Sequence, residues 1–161
     1  MWIRKLVIIA ALVFAAAPRT ARAEVGVGGF FGEPTGIDFK LDLASRSALD
    51  ILIGWYSHYR NYGFDGAYGH VTYLVTPLVS HGRSVIVPLR LGIGAAIFDD
   101  SGRFNDDLNL AARFPLQIGL RFRRTPVELY GEVALKLTVI DEDNDHPTVD
   151  LDGGIGVRFY F

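Results

Sequence analysis

In the stretch "VELYGEVALKLTV", Val127, Leu129, Gly131, Val133, Leu135, Leu137 and Val139 fall on one side of an extended chain, and Glu128, Tyr130, Glu132, Ala134, Lys136 and Thr138 fall on the other. A strand points successive side chains to opposite faces, whereas a helix gathers apolar residues at spacings of three and four. The split therefore predicts a strand. It recurs in "LNLAARFPLQIGLRF", where Leu108, Leu110, Ala112, Phe114, Leu116, Ile118, Leu120 and Phe122 oppose Asn109, Arg113, Gln117 and Arg121. It recurs in "VIVPLRLGIGAAI", with Arg90, Gly92 and Gly94 on the polar side, and in "IDFKLDL", with Asp38, Lys40 and Asp42 there. In "ALDILIGWYSHY" the polar side holds Asp50, Tyr56 and His58; in the last run, "LDGGIGVRFYF", it holds Asp152, Arg158 and Tyr160. Two weaker runs, "EVGVGGFFG" and "HVTYLVTPLV", bring the predicted strands to eight, an even number as bacterial single-chain barrels have.

The connections alternate in kind. "EPTG" is followed by "ASR", "RNYGFDGAYG", "SHGR", "DDSGRFNDD", "RRTP" and "DEDNDHP", so that after the first, odd connections are long and even ones tight. Outer-membrane barrels with both termini in the periplasm have short periplasmic turns and longer external loops in that order. The polar faces carry six acids (Asp38, Asp42, Asp50, Glu128, Glu132, Asp152) and six bases (Lys40, Arg90, Arg113, Arg121, Lys136, Arg158). A balanced set suits a narrow interior, where desolvated ions must pair. The excess negative charge belongs to the loops.

Two-faced strands do not by themselves say which face is outside. A soluble barrel of lipocalin type turns its apolar face inward around a ligand. Three features favour an apolar exterior: apolar runs long enough for the ~9–11 residues of a membrane-crossing strand; many small residues on the charged faces (Gly92, Gly94, Ala111, Gly119, Ala134, Gly154, Gly156); and aromatics near strand ends on the apolar face (Phe31, Trp55, Tyr59, Phe98, Phe122, Phe161). Pro77, Pro88 and Pro115 lie inside runs that a closed barrel pairs on both sides, and each deletes a ladder donor. Local bulges are the expected remedy.

The segment before the strands reads differently. Arg4 and Lys5, an apolar run from Leu6 to Ala17, and Ala21-Arg22-Ala23 have the order of a cleavable export signal of the Sec type. Residues 1–23 are thus expected to leave, and 24–161 to form the barrel. Their loss removes four positive charges and no negative ones, so a net charge of −2 becomes −6. Such a chain lacks the basic face that nucleic acid requires. The absence of Cys excludes disulfides, thiolate catalysis, Cys-bound metals and a lipoprotein anchor.

With its signal segment, eight alternating strands and "GIGVRFYF" ending, the chain resembles the small eight-stranded outer-membrane β-barrels typified by the OmpA transmembrane domain and OmpX. More narrowly, "GEPTGIDFKL" after a Gly-rich first strand, with "LDGGIGVRFYF", is similar to short, functionally uncharacterised outer-membrane proteins. The resemblance implies an all-β, antiparallel up-and-down transmembrane barrel in a Gram-negative outer membrane. It also implies a last strand read by the barrel-assembly machinery through Ile155, Val157, Phe159 and Phe161, and contact with outer-membrane lipid and lipopolysaccharide.

Candidate chemistry is sparse. Ser57 and His58 point to opposite faces of a strand, His70 follows the second loop, and His81 falls in a predicted turn, so no Ser, His and acid converge. In "DEDNDHPTVDLD", Asp141, Asp143, Asp145 and Asp152 have a calcium-loop spacing. His146 stands where that loop needs Gly, and Asp152 where it needs Glu. A solvated acidic loop able to touch the divalent ions that bridge lipopolysaccharide is the simpler reading. Tyr62, Phe64 and Tyr68 in the second loop are either binding contacts or members of an aromatic girdle. No enzyme, cofactor or metal site is expected, and the surface ligand is unknown. The leading expectation is a barrel with a plugged, charge-paired lumen and a structural or surface-interaction role. The alternatives are a soluble periplasmic barrel binding an apolar ligand and a lipid-modifying outer-membrane enzyme.

Overall fold

A computed structural model describes residues 24–56, 66–99, 108–140 and 148–161. Eight strands follow in chain order: β1 (Val25–Glu33), β2 (Thr35–Ala44), β3 (Ser47–Tyr56), β4 (Gly66–His81), β5 (Val85–Asp99), β6 (Leu108–Phe122), β7 (Val127–Ile140) and β8 (Thr148–Tyr160). Each pairs antiparallel with its sequence neighbours, and β1 pairs with β8, so the sheet closes into a barrel. The β2–β3, β4–β5 and β6–β7 turns and both described chain ends lie at one end of the barrel, here the turn end, and the Pro34 connection lies at the other, the loop end. Residues 57–65, 100–107 and 141–147 lie outside the described residues. Two connections differ from expectation. Only Pro34 separates β1 from β2 in "EPTG", and His81 is the last residue of β4 instead of a turn residue.

The alternation read in the sequence becomes an inside and an outside. Apolar side chains face outward: Ile53, Leu78, Leu151 and Ile155 are each more than 60% exposed, and Phe161 is 83% exposed. The inward positions hold Asp38, Lys40, Asp50, Arg90, Arg113, Gln117, Glu128, Glu132, Lys136, Asp152 and Arg158, all buried. Phe31, Trp55, Phe122 and Phe161 lie outward as expected, and Tyr59 falls outside the described residues. Phe98 does not: parity is unbroken through β5, so Phe98 follows Gly94 and Ala96 inward and is 7% exposed. Tyr68, expected in a loop, is an inward residue of β4 with 3% exposure. Tyr62 and Phe64 lie outside the described residues.

The prolines are accommodated in two ways. At Pro77 the β4–β5 register shifts by one residue between Val75 and Leu78, a bulge. The shift also reverses parity, which is why "HVTYLVTPLV" reads as a weak strand. At Pro88 and Pro115 there is no bulge. The β5–β6 register holds constant, pairing Ile86 with Arg121, Leu89 with Ile118, Leu91 with Leu116 and Gly94 with Arg113. It skips the positions around each proline, and that register sets Pro88 opposite Gly119 and Pro115 opposite Gly92. A Cβ on Gly119 would lie 3.0 Å from the Pro88 ring, and one on Gly92 would lie 2.8 Å from the Pro115 ring. The glycines give the inward-facing rings their room across the seam.

Candidate functional site: the charged lumen

Eight strands leave an interior just wide enough for side chains to fill, and here the filling is ionic in the middle. Arg158, on β8, has a side chain with 0% exposure. Its Nε donates to Asp38 on β2, its Nη2 lies 2.7 Å from Asp50 on β3, and its guanidinium lies 3.8 Å from the Tyr130 ring centroid on β7. Tyr130 in turn donates its hydroxyl to Asp38 at 2.7 Å. Gln117, on β6, donates to Asp50 at 3.0 Å and also to Glu132 on β7, which pairs with Arg113. One connected network thus ties five strands across the lumen. Burying these ions is costly unless each is paired, and the pairing is met by residues as far apart in sequence as Asp38 and Arg158.

Gly156 is part of this arrangement. It stands opposite Tyr130 in the β7–β8 register, and a Cβ there would come within 2.3 Å of the Tyr130 ring. The missing side chain lets the ring lie flat between Phe30, whose centroid is 5.8 Å away, and the Arg158 guanidinium.

Toward the loop end the filling becomes aromatic. Tyr56, Tyr68 and Phe98 pack with ring centroids 5.6 to 6.3 Å apart. Lys136 sits beneath them, with Nζ 4.3 Å from the Tyr56 centroid and 4.6 Å from that of Phe98. Lys136 donates to the Tyr56 hydroxyl at 2.7 Å and pairs with Asp152 at 3.3 Å, while Tyr56 donates to Asp152. His70 lies just below, with Nδ1 3.3 Å from the Tyr68 hydroxyl.

Toward the turn end the lumen opens. Arg90 pairs with Glu128, which also accepts the Tyr160 hydroxyl; Lys40 pairs with Asp42, and Arg121 with Glu24. Arg90, Lys40, Asp42, Arg121 and Glu24 border a cavity of about 510 Å³ that reaches the β2–β3 turn, His81 and the end of β6.

All twelve strand charges named from the sequence therefore sit inside the barrel. Asp42 and Arg121 keep 23% and 26% of their side-chain surface exposed at the cavity. The alternating pattern did not reveal Tyr56, Tyr130, Tyr160 and Gln117 as partners of those charges, nor Glu24 as a partner of Arg121. The signal was their position on the polar faces; the pairing needed the closed sheet. Asp152 belongs to the Lys136 cluster. Asp141, Asp143 and Asp145 lie outside the described residues, as do Ser57 and His58. His70 and His81 are eleven residues apart on β4, about 35 Å at the rise of a strand, and approach no common point. Among the described residues no group of three His, Asp or Glu side chains is placed to hold a metal ion. No protein-family model matches the chain, and no curated protein or solved structure matches it at a significant level.

Proposed function

We propose that this chain is an integral outer-membrane barrel of a Gram-negative bacterium, similar to the OmpA transmembrane domain and OmpX. In this reading it has a plugged, charge-paired lumen and a non-enzymatic role in envelope structure or surface interaction. The observation that carries the reading is the inversion of polarity: ions and hydroxyls are buried inside while aliphatic and aromatic side chains face out all round the wall. In water such an exterior is a large aggregation liability. In a bilayer it is the required surface, and a closed sheet leaves no backbone group unpaired at an edge. A soluble barrel that carries an apolar ligand needs the opposite arrangement.

On this reading the turn end faces the periplasm and the acidic long connections face lipopolysaccharide. Residues 1–23 act as the export signal, and Ile155, Val157, Phe159 and Phe161 present the closing strand to the assembly machinery. The Arg158 network blocks the lumen, so the barrel is not a general pore. Envelope fractionation tests the membrane placement: the protein stays with the membrane until detergent is added and migrates differently on a gel before and after boiling. Extraction without detergent, with no heat-dependent shift, would sink it. Liposome conductance tests the plug, because large stable channels contradict it.

A further inference from the structure

The turn-end cavity does not stay inside the barrel. On the outer wall lies a second hollow of about 420 Å³, lined by Tyr73, Val75 and Pro77. Both hollows are bordered by Ala44, Ser45, Arg46, Ser47 and Thr76. The cause is a step in the rim. The β3–β4 register ends at Ser47 opposite Val75, and the Thr76 N–H donates to the Arg46 carbonyl at 2.8 Å. Beyond that point β4 runs on to His81, paired with β5 only. The β2–β3 turn therefore sits in a notch, with the interior cavity on one side and the apolar outer wall on the other.

The charges at the notch favour an anion. Lys40, Arg90 and Arg121 each have a carboxylate partner, but Arg46 forms no ion pair among the described residues. The three tight turns contribute Arg46, Arg83, Arg123 and Arg124 and no acid at all. Arginine outnumbers lysine at this end, and its planar fork matches the oxygens of a phosphate. Ser45 and Ser47 border both hollows together with Arg46. A hollow lined by charged side chains, within the size range of ligand sites, thus meets an apolar groove across one arginine.

We propose that this notch is a binding site for a glycerophospholipid of net negative charge. The phosphate meets Arg46 and the Ser45 and Ser47 hydroxyls, the headgroup enters the interior cavity, and an acyl chain lies outside along Tyr73, Val75 and Pro77. This placement rests on the membrane reading above.

Native mass spectrometry of the folded, detergent-solubilised protein, titrated with phosphatidylglycerol, phosphatidylcholine and glycerol 3-phosphate, tests it. Phosphatidylglycerol binds several-fold more tightly than either of the others. Arg46→Ala weakens it about tenfold, or about 1.4 kcal/mol, and removes the preference over phosphatidylcholine. Tyr73→Ser weakens both lipids without affecting their ratio. Arg83→Ala and Arg124→Ala, turn arginines outside both hollows, leave binding unchanged. Equal affinity for the two lipids, or an unaltered Arg46→Ala protein, overturns the headgroup site. Binding of glycerol 3-phosphate as tight as that of the lipid overturns the acyl groove and leaves a soluble-anion pocket. Losses with Arg83→Ala or Arg124→Ala as large as with Arg46→Ala would mean diffuse rim charge and no site. Heat-shifted gel mobility in every variant separates these failures from a failure of the membrane reading itself.

Discussion

The two ends of the lumen are built from the same alternating strands and differ in what fills them. At the loop end, Tyr56, Tyr68 and Phe98 close over Lys136 and Asp152, and the ions beneath are buried. At the turn end, Arg121, Glu24 and Asp42 keep a quarter to two-fifths of their side-chain surface exposed around an open cavity. A charge shut away from water depends on its protein partners, whereas a charge bordering a wet cavity can exchange a partner for solvent. The loop end and the middle therefore hold the barrel in one arrangement, and the turn end is where the interior remains available to something else.

The comparison is broken most severely in the middle. Arg158→Ala leaves Asp38 and Asp50 buried without their cation, and unfolding in urea from lipid vesicles should show a loss of about 3–5 kcal/mol. A value below 1 kcal/mol would mean that water enters the centre freely. Next is the loop end. Lys136→Met keeps the volume and removes the charge, but the Tyr56 hydroxyl still donates to Asp152, so the loss falls to about 1.5–3 kcal/mol. The smallest effect belongs to the turn end. Arg121→Ala breaks part-exposed pairs to Glu24 and Asp42 and should cost less than about 1 kcal/mol, reduced further in high salt. A salt-insensitive loss equal to that of Lys136→Met would erase the distinction between the two ends.

Much of this was legible before folding was considered. The parity of Val127–Val139 and of Leu108–Phe122 placed every charge of β6 and β7 on the side where the structure has it. It was less legible where local signals conflict. Phe98 has the residue type and strand-end location of an outward girdle aromatic, yet the unbroken period of β5 carries it inward onto Tyr56. The β4 pattern fades at Thr76 and Pro77 because a bulge shifts the register there. Pro88 and Pro115 read as threats to the sheet until Gly119 and Gly92 are found opposite them on the neighbouring strand.

The sequence alone determined the strands, their number and the two faces of each. Those follow from the two-residue repeat of an extended backbone, which needs no knowledge of neighbours. The small residues on the charged faces already favoured an apolar exterior, and only closure of the sheet decided that Arg158 meets Asp38 and Asp50 and that the β2–β3 turn stops short beside β4. Strand order was implicit in the short turns. Strand stagger and the width of the interior are properties of the whole barrel, and they choose which of many equally charged inward residues come within reach of one another.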